Sequence, residues 1–136
     1  MFVKGPEQAA SFCANAPPQL VSLLEQFIVF SREQALPDPL VTGFDREPAF
    51  YVQNGLKVPS FSWHLVRCAI DLRTHHYTDP QLKLVETWFQ QKCRPTHDWE
   101  VITELHGTGP HIHIGYRDRQ RRSLWLDMNI NPRAVS

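Results

Sequence analysis

Residues 62–72 read SWHLVRCAIDL, and this stretch says most about the fold. Its second half, Cys68 to Leu72, is short and mostly apolar, which is typical of a buried strand. His64 precedes that strand, and Asp71 lies within it seven residues later. The segment therefore predicts a core strand that also carries polar side chains able to do chemistry.

A predicted hairpin lies further along the chain. Residues 99–105 alternate in polarity and are rich in β-branched side chains, residues 107–110 read GTGP, and residues 111–116 predict the returning strand. Because side chains on a strand alternate between its faces, His111 and His113 share one face.

The rest of this hairpin extends the same polar face. Ile112 and Ile114 are expected to point to the core, opposite the two histidines. Glu104 and His106 share a face of the preceding strand, so the hairpin register decides whether a carboxylate joins the histidines.

The remaining pattern predicts an α+β fold. We expect helices over 6–15, 19–33 and 79–93, and strands over 40–44, 49–52, 68–72, 99–105, 111–116 and 124–128. This order predicts a small, mainly antiparallel sheet with two or three packed helices. A chain of 136 residues is long enough for one domain, expected to span residues 1–136.

The composition limits which partners and which cellular compartment are expected. Fourteen basic and fourteen acidic residues cancel, so net charge gives no reason to expect a nucleic acid or an anionic membrane as partner. Cys13, Cys68 and Cys93 form no CxxC pair, which favours free thiols over a disulfide framework. No apolar run has the length of a signal peptide or a membrane span. We expect a protein synthesised in the cytoplasm, monomeric, with no membrane partner.

His64, Asp71 and His113 form a candidate metal site. Two imidazoles and one carboxylate are a usual protein ligand set for catalytic Zn²⁺. Zinc held in this way activates water and polarises a carbonyl group, which is hydrolytic chemistry. The alternative is that an isolated His-x-His on a strand is simply an exposed polar face.

The two motifs together resemble a known superfamily. Ser62-x-His64-x6-Asp71, with Ala69 two residues before the aspartate, is followed by His111-x-His113. This pattern is similar to the motifs of the lysostaphin-type enzymes, the D-Ala-D-Ala metallopeptidases and the hedgehog signalling domains. The resemblance covers about residues 20–116 and implies a hedgehog/D-Ala-D-Ala peptidase-like fold.

The resemblance also implies roles for individual residues. His64, Asp71 and His113 would bind zinc, and Glu104 or His111 would be the general base. Arg46 would meet a substrate carboxylate, and Ser62, the first residue of the motif, is placed with it in substrate binding.

Three departures from the family pattern bear on these roles. Arg67 stands where the family has a glycine, which predicts a different loop. The Glu-x-x-His form of the carboxypeptidases is absent, which leaves the base open. His111 follows a proline, as a ligand does in some relatives, so His111 and His113 can exchange roles.

The first function that follows is a zinc peptidase that cuts peptidoglycan stem peptides. It would act as a D-Ala-D-Ala carboxypeptidase or an L-Ala-D-Glu type endopeptidase. The lack of a signal peptide and a wall-binding module suggests a phage-type enzyme, released at lysis or carried in the particle. A bacterial enzyme that recycles wall fragments is also compatible.

Two other functions stay open. One is a single-strand DNA nickase that uses the His-hydrophobic-His metal site with Tyr51 or Tyr77 as nucleophile. The other is a zinc-stabilised binding or structural protein that has lost activity.

Overall fold

The computed structural model describes residues 1–93, 98–105 and 110–130, and these form an α+β fold. The strands are β1 (Phe2–Val3), β2 (Leu40–Gly43), β3 (Ala69–Arg73), β4 (Trp99–Leu105) and β5 (His111–Tyr116). The α-helices are α1 (Pro6–Asn15), α2 (Pro18–Glu33), α3 (Pro48–Gln53), α4 (Asp79–Cys93) and α5 (Arg119–Ile130), with a 3₁₀ helix at Trp63–Val66. None of the helices in these ranges is long and apolar enough to cross a bilayer.

The five strands form one mixed sheet in the order β1-β2-β3-β5-β4. The pairing of β1 with β2 is parallel, and the other three pairings are antiparallel. The prediction of a mainly antiparallel sheet is therefore confirmed. The first strand, β1, was not predicted, because two residues carry no detectable alternation.

The register between β3 and β5 separates a core face from a polar face. Ile70 lies opposite Ile114 on the core face, and all of the side chain of each is buried. Asp71 lies opposite His113 on the other face. The prediction that the histidines and the isoleucines of β5 point in opposite directions is confirmed.

Helices α2 and α4 cover the core face of the sheet. In α2, apolar residues recur at helical spacing, and Leu20, Leu24 and Phe27 are almost completely buried. In α4, Phe89 packs against Phe27 with ring centroids 4.5 Å apart. The predicted bounds of both helices agree with the structure to within one residue. This layer covers one face of the sheet, and Asp71 and His113 lie on the opposite face.

Two predicted strands are wrong, because both segments are helical. Residues 49–52 lie in α3, where Pro48 takes the first helical position. Residues 124–128 lie in α5, which begins after Asp118 accepts a hydrogen bond from the backbone of Arg121. Short apolar runs do not distinguish a strand from a helix. The start of each helix does, with a proline at the first position of α3 and the Asp118 side chain before α5. Residues 119–122, within the basic segment 117–122, accordingly form the first turn of α5.

Candidate metal centre

His64 is fixed at the polar face by the 3₁₀ helix Trp63–Val66. The Oγ of Ser62 accepts a hydrogen bond from the backbone N–H of His64 (3.3 Å), so Ser62 caps this helix. The buried ring of His64 donates from Nδ1 to the carbonyl oxygen of Phe44 (2.9 Å). Because a carbonyl only accepts, Nδ1 carries the hydrogen, and the Nε2 atom faces Oδ1 of Asp71 at 3.0 Å.

His113 is held in the same way from the other side. Its Nε2 atom lies 2.7 Å from Oε1 of Glu100, which is half-buried on β4. Its Nδ1 atom lies 3.4 Å from the same Oδ1 of Asp71. Both ring nitrogens of His113 therefore face carboxylate oxygens, which only accept.

The three side chains together form a candidate metal-binding set. One ligand atom from each of His64, Asp71 and His113 lies within 4.8 Å of the others, and all three residues are buried. Each imidazole has one nitrogen held by an oxygen acceptor and the other directed at the aspartate. Imidazole lone pairs and a carboxylate repel each other when they face one another, unless positive charge lies between them. Either protons or a metal ion can supply that charge. These residues therefore lie close enough to bind a metal ion.

The protonation of the metal-free cluster follows from the same contacts. Burial lowers the pKa of His113, but its bonds to Asp71 and Glu100 outweigh burial and raise the pKa to about 9. Burial raises the pKa of Asp71, yet bonds from His113 and His64 and the Arg46 charge hold it well below its usual value. The bond from His113 likewise lowers the pKa of Glu100. Without a metal, the proton that His113 holds compensates part of the charge of the two carboxylates.

Arg46 contacts the second oxygen of the aspartate. Its Nη2 atom lies 2.7 Å from Oδ2 of Asp71. Gly43, opposite Asp71 in the sheet, leaves room for this, because a Cβ there would collide with the guanidinium. The guanidinium also lies over the ring of Phe50, with Cζ 4.9 Å from the centroid. Arg46 is thus at the site, but its ion pair is with Asp71.

The two candidate bases are His111 and Glu104. The Nε2 atom of His111 lies 3.8 Å from Oδ1 of Asp71, so this ring is at the edge of the cluster. Glu104 belongs to β4, but its side chain lies outside the described part of the structure. His97 and His106 also lie outside the described residues.

Arg67 takes the backbone conformation that a glycine would take. Its φ of 58° and ψ of 42° are in the left-handed region, at the C-terminal end of the 3₁₀ helix. Its side chain reaches Asp45, with Nε 2.9 Å from Oδ2. The prediction that arginine in place of glycine changes this loop does not follow, because Arg67 adopts the left-handed conformation that glycine adopts at low cost.

The tyrosines of the nickase hypothesis occupy different environments. Tyr51 lies in α3 and is partly buried. Tyr77 is buried, and burial raises the pKa of its hydroxyl to about 12. A hydroxyl that resists ionisation in this way is a poor nucleophile.

Glu100 is the functional residue that sequence reasoning missed. It lies two residues before Ile102 and four before Glu104, so the alternation that placed Glu104 on the polar face also applied to Glu100. The pairing of Glu100 with Gly115 in the sheet brings its side chain to His113.

Comparisons of the chain with models of protein families, with curated proteins and with solved structures return no match. The geometry of the cluster formed by His64, Asp71 and His113 therefore carries the functional argument.

Proposed function

We propose that the chain is a zinc metallopeptidase. One observation carries the proposal. The far nitrogen of each buried imidazole is held by an oxygen acceptor, the Phe44 carbonyl for His64 and the Glu100 carboxylate for His113. Histidines that bind metals are oriented in this manner, with the second nitrogen donating to a carbonyl or carboxylate. Histidines that only form an exposed polar face of a sheet would not need their second nitrogen held in this way.

The chemistry of the donors fits Zn²⁺. Nε2 of His64, Nδ1 of His113 and a carboxylate oxygen of Asp71 are the atoms that would hold it, which leaves one position open. Bound there, the ion would supply a Lewis acid that polarises a carbonyl and lowers the pKa of water. Arg46, paired with Oδ2, would hold the carboxylate of Asp71 in one orientation.

A base must accept the proton of the attacking water, and two residues are candidates. Glu104 is preferred, because a carboxylate takes the proton and can pass it to the leaving amine. His111, at the edge of the cluster, is suited to donate to the developing oxyanion. The carboxylate of Glu100 is engaged with His113, so its proposed role is positioning.

The proposed substrates are peptidoglycan stem peptides, cut as a D-Ala-D-Ala carboxypeptidase or an L-Ala-D-Glu type endopeptidase would cut them. The support is the Ser62 to Asp71 motif, the His111-x-His113 motif and their convergence. A hedgehog/D-Ala-D-Ala peptidase-like fold and a phage-type source, with release at lysis, belong to this proposal.

Metal analysis and peptide cleavage test the proposal together. We expect one zinc per chain in the purified protein and in a His76→Ala control, whose histidine lies outside the cluster. The double variant His64→Ala/His113→Ala should contain none. Mass spectrometry of a peptidoglycan digest should show new termini at a bond next to a D-amino acid. Full zinc occupancy in the double variant would refute the ligand assignment.

Variants of the two base candidates refine the test. Glu104→Gln should retain zinc and lose roughly two or more orders of magnitude in turnover, the usual scale for a general base. His111→Ala should retain zinc and keep more activity. Release of zinc from His111→Ala would make His111 a ligand and reopen the assignment of His113.

A further inference from the structure

The carbonyl group that orients His64 belongs to a segment beyond the end of a strand. The carbonyl oxygen of Phe44 accepts the hydrogen bond from Nδ1 of His64 at 2.9 Å. Strand β2 ends one residue earlier, at Gly43, and its pairing with β3 reaches no further than that glycine. The hydrogen bonds of the sheet therefore do not hold this carbonyl. Another contact has to keep it directed at the buried ring of His64.

Gln8, which is half-buried on α1, supplies that contact through three hydrogen bonds. Its Oε1 atom accepts from the backbone N–H groups of Phe44 (3.0 Å) and Asp45 (2.8 Å). Its Nε2 atom donates to the carbonyl oxygen of Asp45 (2.9 Å). One side chain thus engages three consecutive peptide groups, much as a neighbouring strand would. It satisfies backbone groups that lie beyond the strand pairing.

The middle one of these three peptide groups connects Gln8 with His64. It contains the carbonyl of Phe44 and the N–H of Asp45, which point in opposite directions because a trans peptide group is planar. The N–H donates to Gln8, and the carbonyl accepts from His64. Fixing the direction of the N–H therefore fixes the direction of the carbonyl, and with it the nitrogen of His64 that carries the hydrogen.

Two further residues hold α1 against the same segment. The hydroxyl of Ser11 donates to Oδ2 of Asp45 at 2.7 Å, and Phe12 packs edge-on against Phe44 with ring centroids 5.1 Å apart. Positions 8, 11 and 12 have helical spacing, so one face of α1 makes all of these contacts. Ser11 and Phe12 contact side chains of the segment, whereas Gln8 contacts its peptide groups. The attachment of the helix and the orientation of the peptide group can therefore be tested separately.

A cleft of about 430 Å³ beside this segment makes another orientation of the peptide group accessible. Gln8 and Asp45 both line the cleft, so a peptide group that lost Gln8 could turn and form hydrogen bonds with water. The Phe44 carbonyl would then point away from His64. A metal-binding histidine depends on such an acceptor for its tautomer and its ring orientation.

We propose that Gln8 is a positioning residue of the metal centre, an inference that rests on the proposed zinc site. Through the peptide group between Phe44 and Asp45, Gln8 keeps the Phe44 carbonyl on Nδ1 of His64. The ring then presents Nε2 to Asp71 and to the metal. If Gln8 only attached α1 to the sheet, loss of the Ser11 bond would affect His64 in the same way.

The test compares three variants of Gln8 with a matched control. Gln8→Met nearly keeps the size of the side chain and loses all three hydrogen bonds. Gln8→Asn keeps the amide but is one methylene too short, and Gln8→Glu keeps two acceptor oxygens. The control Ser11→Ala removes a bond between the same helix and the same residue, Asp45, without touching a peptide group.

Two measurements are made on each variant. The first is the rate at which the Nδ1 hydrogen of His64 exchanges with water in the metal-free chain, followed by NMR at one fixed pH. Its signal is the one that is missing from His64→Ala. The second is the zinc affinity, measured against a competing chelator. Gln8→Glu is used for the exchange measurement only, because its added charge would itself attract zinc.

Gln8→Met should speed this exchange about tenfold or more, because the Nδ1 hydrogen loses a fixed acceptor. It should also lower zinc affinity about tenfold, the lower end of the usual cost of disturbing the partner of a metal-bound histidine. Gln8→Asn should have the same effects, and it decides the question if Gln8→Met does not fold. Gln8→Glu should exchange at a rate between wild type and Gln8→Met. Ser11→Ala should lower the urea midpoint of unfolding and leave both measurements unchanged.

Failure of this inference and failure of the proposed function give different results. Wild-type exchange in both Gln8→Met and Gln8→Asn would overturn the positioning role and leave the zinc site standing. Equal losses in Gln8→Met and Ser11→Ala would also overturn it, because Gln8 would then only attach the helix. A wild-type chain that binds no zinc would overturn the proposed function, while faster exchange in the Gln8 variants would still support the control of His64 by Gln8.

Discussion

The Oε1 atom of Glu100 lies 2.7 Å from Nε2 of His113, while Nδ1 of the same ring faces Asp71 at 3.4 Å. The glutamate therefore holds the Nε2 side of the His113 ring and leaves Nδ1 directed at Asp71, where the proposed metal position lies. Glu100 is on β4, the strand next to His113, so this ion pair links the two strands of the hairpin at the ring.

Loss of this carboxylate should weaken zinc binding. Glu100→Ala should lower zinc affinity roughly 10- to 100-fold, the usual cost of removing a partner of a metal-bound histidine. Glu100→Gln, which keeps an acceptor oxygen, should lose less. Titration against a competing chelator measures the affinity. Glu25→Gln, an exposed change on α2, is the control, and equal affinities in all three variants would remove Glu100 from the site.

Zinc binding should release a proton from His113. In the metal-free chain the pKa of this residue is raised to about 9, so at pH 7 the ring holds a proton that the ion must displace. The apparent zinc affinity should therefore rise about tenfold per pH unit below pH 9 and level off above it. Calorimetry at pH 7 in buffers of different ionisation enthalpy counts the protons, and a count of zero would contradict this prediction.

The same raised pKa affects the stability of the metal-free chain. A proton that His113 binds more tightly in the folded state stabilises the fold fully below the ordinary pKa of 6.5. This contribution should be lost as the pH rises through about 9. Zinc-loaded protein should not show the loss, because the metal replaces the proton.

Replacing Arg67 by alanine should destabilise the fold more than replacing it by glycine. Both substitutions remove the ion pair with Asp45, but only glycine also removes the cost of a left-handed backbone, about 1 kcal/mol. Arg67→Gly should therefore be more stable than Arg67→Ala by about that amount. Urea unfolding of the two variants gives the difference. An alanine variant as stable as the glycine variant would mean that the backbone at residue 67 is not in the left-handed region.

Arg121 should be a structural anchor of α5. Its Nη1 atom donates to the carbonyl oxygens of Asn15, Val66 and Arg67, at 2.9, 3.3 and 3.2 Å. Arg121→Met keeps the length of the side chain but loses these bonds, which should cost about 2 kcal/mol. Arg119→Met is the matched control, because the Arg119 side chain is 70% exposed. Unfolding free energies that fall equally in both variants would count against the anchor.

Local sequence determined the elements that have a strong period or a clear start. Helix α2 combines Pro18 with apolar residues at helical spacing, and α4 begins at Asp79-Pro80, so both were predictable. The strict alternation of residues 111–116 likewise determined which face the histidines of β5 share. Segments 49–52 and 124–128 are too short to show a clear hydrophobic period, and both were wrongly predicted as strands.

The sequence also identified the candidate ligands, since His64, Asp71 and His113 are chemically suited to one metal ion and lie close enough in the structure to bind one. Only the tertiary structure decided their partners. Glu100 reaches His113 because of the β4–β5 register, and Arg46 reaches Asp71 because Gly43 leaves space beside it. Such contacts depend on how neighbouring strands align and on where a glycine leaves space between them. Both are set by the tertiary structure and cannot be derived from the residues adjacent in sequence.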